Sequence, residues 1–306
     1  MLVAGGQGTT STSLTSAEIY DPATGTWTAT TDMQHGRFGA KATLLANGKV
    51  LVVSGNCIFD NATEPTPGHG SAELYDPATE TWTDTAGALT GCSDHAIALL
   101  SDGRVLMTGG STGIPDGSSW DAQIYDPATG AWSTTGHMLT DHHSHTATLL
   151  TDGKVLVAGG GSGMGPYDSA ELYDPLTGTW SATSHMAVAR ANHAAVLLSD
   201  GRLLVAGGDS MTTPAPTEIY DPLTKTWTTT GPMANAGSGH TATLLPDGRV
   251  LAAGTSAELY DPLTGTWSDT APMIEVNYFS TATLLNNGTV LVVGTGTAIA
   301  QVFDPS

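Results

Sequence analysis

Four histidines stand at equivalent places along the sequence and are the residues best suited to metal chemistry. Each comes directly before an apolar segment such as TATLL: His95, His145, His193 and His240. His142 and His143 add two imidazoles in the segment DHHSH. Imidazole is a good ligand for zinc, copper, iron or nickel. The six histidines are therefore the candidate ligands of one transition metal ion, and the alternative is a structural task repeated in every unit.

Aromatic and polar side chains in the long connections are candidates for holding a partner. Trp120 lies outside the register of the other tryptophans. Such side chains can stack on a sugar or anchor a protein. The alternative for Trp120 is packing within its own loop. The candidate binding residues are Trp120, Phe59, Tyr167, Arg190, Asn192 and Tyr278.

The elements that position these residues come from one repeated unit. The segment SAEIYDPATGTW at 16–27 returns in related form at 71–82, 121–132, 169–180, 216–227 and 256–267, with a shorter copy at 300–306. Between the copies lie segments such as ATLLTDGKVLVAGG, and helical spacing is absent. Four short strands per repeat, which we name a, b, c and d, predict the blades of an all-β propeller.

The turns of the repeat have their own signals. Asn-Gly and Asp-Gly pairs between strands a and b predict type I′ turns, in which both central residues have positive φ. Asp-Pro between strands c and d predicts a turn whose Asp side chain caps backbone N–H groups. Strands a and b are nearly all apolar, which suits strands covered on both faces. The long, variable connections all join b to c, and such loops are the usual place for binding sites.

Paired glycines after strand b, then Tyr and then Trp in each unit, resemble the Kelch repeat over essentially the whole chain. The resemblance implies a single propeller domain over 1–306 with six or seven blades. Seven blades, with three strands in each terminal blade, use every segment, whereas six leave 289–306 without a place. We predict seven. In such a ring strand a lines the central channel, so the four repeated histidines are expected near the axis.

Some Kelch-type propellers are copper oxidases similar to galactose oxidase, in which a Tyr-His pair binds copper at the start of a strand a. Tyr278 matches the tyrosine, but Phe279 stands where the ligand histidine is expected. We therefore expect a propeller similar to that of galactose oxidase, but without the copper-ligand motif. We find no P-loop, no HExxH and no nucleophile elbow.

Composition limits the partners. The formal net charge is −20 with only 9 Lys plus Arg, which argues against nucleic acid and against anionic membranes. No apolar run is long enough to span a bilayer. Cys57 and Cys92 lie on the same face of adjacent predicted blades. The two alternatives are a disulfide between them and two thiols without a function. Composition favours an extracellular or periplasmic location, although Met1 opens directly into a strand pattern without a signal peptide.

We predict a non-enzymatic binding module that needs no cofactor and presents its b–c loops to a protein or a glycan. The first alternative is a metal-dependent enzyme acting on a carbohydrate, with the histidines as ligands. The second is an engineered or fragmentary propeller without an evolved ligand. Fold alone does not choose among these functions.

Overall fold

The computed structural model describes residues 1–8, 12–55, 70–85, 93–111, 118–210, 215–235, 237–254, 256–270, 280–294 and 300–305. All regular elements among them are β-strands, and seven antiparallel sheets of three or four strands follow one another in chain order. We call these sheets blades 1 to 7. The predicted all-β fold with seven propeller blades is confirmed. The described residues include no helix with the length and hydropathy that a membrane crossing requires.

The terminal blades have three described strands each, as predicted. Blade 1 contains β1 (Leu2–Ala4), β2 (Ala17–Asp21) and β3 (Thr26–Ala29). Blade 7 contains β28 (Thr281–Leu284), β29 (Val290–Val293) and β30 (Ala300–Phe303).

The five blades between them have four strands each, in the order a, b, c, d. Blade 2 contains β4 (Lys41–Leu44), β5 (Val50–Val53), β6 (Ala72–Asp76) and β7 (Thr81–Asp84). Blade 3 contains β8 (Ala96–Leu99), β9 (Val105–Thr108), β10 (Ala122–Asp126) and β11 (Ala131–Thr134). Blade 4 contains β12 (Thr146–Leu149), β13 (Val155–Ala158), β16 (Ala170–Asp174) and β17 (Thr179–Ala182). Blade 5 contains β19 (Ala194–Leu197), β20 (Leu203–Ala206), β22 (Thr217–Asp221) and β23 (Thr226–Thr230). Blade 6 contains β24 (Thr241–Leu244), β25 (Val250–Ala253), β26 (Ala257–Asp261) and β27 (Thr266–Asp269).

Two short strand pairs lie in the connections. The first is β14 (Gly161–Ser162) with β15 (Gly165–Pro166), and the second is β18 (Arg190–Ala191) with β21 (Asp209–Ser210).

The chain divides into two compact units. Unit 1 contains Met1–His143, Ser162–Met164 and Asp174–Trp180, and unit 2 contains the remainder. The prediction of a single domain over 1–306 stays a prediction.

Each unit has its own apolar core built from strand b and its neighbours. In unit 1, Leu51 and Val53 of blade 2 pack with Val105, Met107 and Tyr125 of blade 3. In unit 2, an equivalent cluster joins blades 4 and 5, and further clusters join blades 5 and 6 and blades 6 and 7. One blade therefore buries its apolar face against the next, as repeat architectures require.

In blades 3 to 6 strand b is covered on both faces, but strand a is not. β9, β13, β20 and β25 are buried at every position, whereas the a strands β8 and β12 contain partly exposed residues. The prediction of full coverage was wrong for strand a, because strand a is the edge strand of its blade and pairs on one side only.

The a–b turns differ from the predicted type I′ turn. Gly103 has a φ of 86°, but Asp102 before it does not have positive φ. The Gly103 N–H donates to Leu100 O (3.0 Å) and the Leu100 N–H to Arg104 O (2.8 Å). This is a type I turn closed by a glycine bulge. Asp102 stays right-handed because its carboxylate accepts the Arg104 N–H (3.0 Å).

The Asp-Pro turns are as predicted, and Tyr and Trp of the same unit pack together. Asp21 Oδ1 accepts the Ala23 N–H at 2.9 Å, and the other described Asp-Pro turns from blade 2 to blade 6 repeat this bond. The rings of Tyr75 and Trp82 lie 5.0 Å apart, and the Trp82 indole donates to Thr31 O of the preceding blade at 2.8 Å. The pair therefore links neighbouring blades.

Candidate functional site

The four repeated histidines follow a residue in the left-handed conformation, and this feature was not predicted. Asp94, Ser144 and Asn192 have φ of 57°, 56° and 52°, and Gly239 has 73°. Asn, Asp and Gly tolerate this conformation better than most residues. The left-handed residue lies between the connection and the start of strand a, so it determines where the histidine side chain begins.

In unit 2 the left-handed residues are joined by backbone hydrogen bonds. The Asn192 N–H donates to Ser144 O at 2.9 Å, and Asn192 O accepts the Gly239 N–H at 2.9 Å. The Asn192 side chain donates to the Asp209 carboxylate at 2.9 Å. Asn192, a predicted binding residue, therefore links blades 4, 5 and 6 through its backbone.

His193 packs between glycines of two neighbouring blades. A Cβ on Gly159 of blade 4 would meet His193 Cε1 at 2.7 Å, and one on Gly208 of blade 5 would meet His193 Cβ at 2.8 Å. Nε2 of His193 lies 3.0 Å from the Thr146 hydroxyl of blade 4. The glycines after strand b therefore make room for the imidazole, which bonds across the interface between blades.

His240 is held in a similar way. A Cβ on Gly254 would meet its ring at 2.7 Å, and Nδ1 lies 2.9 Å from Gly237 O. Both imidazoles are buried. The structure thus supports the structural alternative for these two histidines.

Burial keeps three of the repeated histidines, His95, His193 and His240, neutral. Burial, and secondarily the positive charge of Arg190, lower the pKa of His193 to about 3. Burial, and secondarily Lys41, lower the pKa of His95 to about 3. Burial also lowers the pKa of His240. Removing an imidazolium from water is costly, so the neutral ring is the form these sites hold.

Arg190, another predicted binding residue, is fully buried. Its guanidinium donates to Gly207 O (3.0 Å), Pro216 O (2.7 Å) and the Glu218 carboxylate (2.9 Å). Glu218 also accepts the backbone N–H groups of Ala187 and Val188. The pair therefore fastens the connection before blade 5 onto strand c of that blade, and Arg190 has no exposed surface to offer a partner.

The same arrangement occurs in blade 2. Arg37 donates to Glu73 with Nε (3.1 Å) and Nη2 (2.9 Å), and both side chains are fully buried. Arg37 O and Arg190 O each accept the N–H of a glycine after strand b, from Gly6 and Gly160 respectively. The arginine thus occupies a fixed position of the repeat, which in blade 5 lies three residues before the strand-a histidine.

His142 occupies this arginine position in blade 4. Its carbonyl accepts the Gly110 N–H at 2.8 Å, and its own N–H donates to Ser119 O at 3.1 Å. The side chain is fully buried, and His143 beside it is half-buried. His142 therefore occupies a position of the repeat.

A metal site is not found in the part of the chain that the structure describes. No group of three His, Cys, Asp or Glu side chains there is arranged to hold an ion. His95 and His145 are buried before strand a of blades 3 and 4. The metal site formed by the six histidines stays a prediction.

Trp120 stands out as an exposed aromatic residue, 59% accessible, in the b–c connection of blade 3. Its carbonyl accepts the Met138 N–H at 2.9 Å, and Leu139, the next residue, is 58% accessible. Met138 is buried below them. We call the exposed side chains of Trp120 and Leu139, with the neighbouring Asp121 and Asp141, the Trp120 surface. Leu139 and Asp141 were not predicted, because a single leucine and a single acid in a loop carry no sequence signal.

The other predicted binding residues are more dispersed. Tyr167 is half-buried in the b–c connection of blade 4, where its N–H donates to Gly160 O (2.7 Å) and its carbonyl accepts the Arg190 N–H (3.0 Å). Phe59, Tyr278, Cys57 and Cys92 lie outside the described residues.

Comparison with known proteins agrees with the repeat. The family model of the Kelch motif matches residues 1–34, 142–187 and 190–234. Kelch-like protein 15 from Danio rerio is 39% identical over 64 residues, and the human protein of the same name is 36% identical over 64 residues. Each match covers 21% of this chain and 10% of the relative, so it spans about a tenth of the relatives' length.

A solved structure of a fungal alcohol oxidase of the AA5 family, in complex with copper, has a similar fold. It aligns with a TM-score of 0.54 and 18% identity over 87% of this chain and 74% of that chain. At this identity the likeness concerns the fold alone. The motif matches and the seven blades together show that the chain is similar to the Kelch-repeat β-propellers.

Proposed function

We propose that the chain is a protein-binding module and that the Trp120 surface is its contact site. Kelch-repeat propellers are typically protein-interaction domains. The observation that carries the proposal is the joint exposure of Trp120 and Leu139 on two connections that are joined by a backbone hydrogen bond. Tryptophan is among the residues that contribute most to binding at protein interfaces.

The exposure of Trp120 is informative because the other tryptophans have structural tasks. Trp82 and Trp227, for example, donate to carbonyls of the preceding blade. At the repeat position of Trp120, other blades carry small or polar residues such as Thr15 and Asp168. The fold therefore does not require an aromatic ring here, and its exposure is consistent with a role in binding.

Peptide-display selection tests the proposal with peptides of random sequence. The peptides are selected on the native protein and measured again on Trp120→Ala and Leu139→Ala. Leu263→Ala is the matched control, because Leu263 is 96% accessible in a c–d turn where blades 1 to 3 carry alanine.

We expect selected peptides to lose about tenfold or more in affinity on Trp120→Ala, as for a residue central to an interface. They should bind Leu263→Ala as they bind the native protein. Selections that give no Trp120-dependent peptide contradict the proposal. Trp120-dependent binding on a glycan array, without any peptide binding, replaces it with a glycan-binding function.

A further inference from the structure

The Trp120 surface combines an aromatic ring with two carboxylates. The isolated antiparallel bridge between Ser119 and His142 pairs the residue before Trp120 with the residue after Asp141, so Trp120 and Asp141 leave the bridge on the same side. Asp121 follows Trp120 directly, and its Oδ1 lies 3.0 Å from His137 Nδ1. The Ser118 hydroxyl donates to the Asp141 carboxylate, which keeps this carboxylate near the bridge.

This combination has the chemistry of a site for a cationic side chain. The face of an indole ring is electronegative and attracts a guanidinium or an ammonium. Carboxylates of neighbouring residues add attraction of the same sign, and the whole chain carries a net charge of −20. Leu139 provides an adjacent apolar contact.

We propose that the Trp120 surface binds an arginine-containing segment of a partner protein, with the guanidinium on the Trp120 ring near Asp141 and an apolar neighbour of that arginine on Leu139. This inference rests on the proposed function and specifies the partner. Arginine fits better than lysine, because its planar, weakly hydrated guanidinium stacks on an indole and also bonds a carboxylate.

A second copy of this chain is a poor source of that arginine. All five arginines of the sequence are ion-paired with carboxylates of the chain itself. Two of them, Arg37 and Arg190, are fully buried. Two chains of charge −20 also repel each other, so the arginine is expected to come from a different protein.

A set of designed peptides tests the inference directly. The probe is an acetylated and amidated peptide of alternating leucine and arginine, and its matched counterparts carry glutamine or lysine at the arginine positions. Binding is measured by calorimetry on the native protein, Trp120→Ala, Trp120→Phe, Asp141→Asn and the control Leu263→Ala. Circular dichroism establishes that each variant is folded.

We expect the arginine peptide to bind the native protein about tenfold more tightly than the glutamine peptide. Trp120→Ala should remove about tenfold of that affinity, and Trp120→Phe should retain a large part of it, because the ring remains. Asp141→Asn should weaken binding of the arginine and lysine peptides but not of the glutamine peptide, and it should reduce the dependence of arginine-peptide binding on salt, whereas Leu263→Ala should have no effect.

Equal binding of the arginine and glutamine peptides overturns the inference, as does arginine binding that Trp120→Ala leaves unchanged. The display selection separates this failure from failure of the proposed function. Selected peptides that depend on Trp120 but contain no cationic residue leave the binding module in place and reject the arginine partner.

Discussion

Glu218→Gln is a substitution for which the structure predicts a large loss of stability. It preserves the shape of the side chain but removes the negative charge that faces Arg190 at 2.9 Å, where both side chains are fully buried. A buried charge left without its partner costs about 3–5 kcal/mol. The backbone N–H groups of Ala187 and Val188 also lose a charged acceptor. We therefore expect the free energy of unfolding to fall by about 3–5 kcal/mol.

Glu18→Gln is the matched control. Glu18 occupies the same repeat position on strand c of blade 1, but its side chain is exposed. An exposed substitution away from any network changes stability by about 0.5 kcal/mol or less. Urea denaturation, followed by tryptophan fluorescence and far-ultraviolet circular dichroism, measures both variants, and the two signals together reveal blades that unfold separately. A loss below about 1 kcal/mol for Glu218→Gln, or an equal loss for Glu18→Gln, refutes the account of the buried pair.

The remaining predictions concern the glycines and the buried histidines. Gly208→Ala should destabilise the protein more than Gly248→Ala in the same assay. Both glycines have positive φ, so the backbone strain is similar. A Cβ on Gly208 would meet Ala191 O at 2.6 Å, whereas one on Gly248 would meet no described atom within 4 Å. The cost should be about 1 kcal/mol for Gly248→Ala and more for Gly208→Ala, and equal costs would argue against packing at Gly208. The pKa of His193 is about 3 in the folded protein, whereas its ordinary value is 6.5. Below pH 6.5 the unfolded chain therefore takes up a proton that the folded chain does not. The contribution of this residue to the free energy of unfolding should therefore fall by about 1.4 kcal/mol for each unit that the pH is lowered from 6.5 to 3. His193→Gln should reduce the slope of stability against pH. An unchanged slope would contradict a buried neutral ring.

The sequence was sufficient for the fold because the same local signals recur in each blade. The Asp-Pro turns, the apolar b strands and the Tyr–Trp pairs each predict one blade, and their agreement along the chain identifies a propeller. The a–b turn was assigned to the wrong type, because Asp-Gly is compatible with two hairpin turns. The choice depends on the Asp102 side chain, which accepts the Arg104 N–H and thereby favours the right-handed conformation.

The candidate site was harder to predict from the sequence than the fold. Arg190 and Asn192 looked like binding residues because they are polar and lie in a connection, but their bonding partners come from distant parts of the chain, Glu218 and Ser144. A buried ion pair can be recognised in a sequence only when both partners recur together at the same repeat positions. Such a recurrence is present here, because blade 2 contains a pair of the same kind. Trp120 was identified because it breaks the repeat, which is the one signal available for a residue that the fold does not need.

Hydrogen exchange on the protein with and without a bound arginine peptide is the most direct test of the central claim. We expect slower exchange on binding at the amides of 118–121 and 137–142, and unchanged exchange at the c–d turn around Leu263. Protection confined to the c–d turns, or none at 118–121 when the peptide is saturating, would contradict the assignment of the Trp120 surface as the contact site.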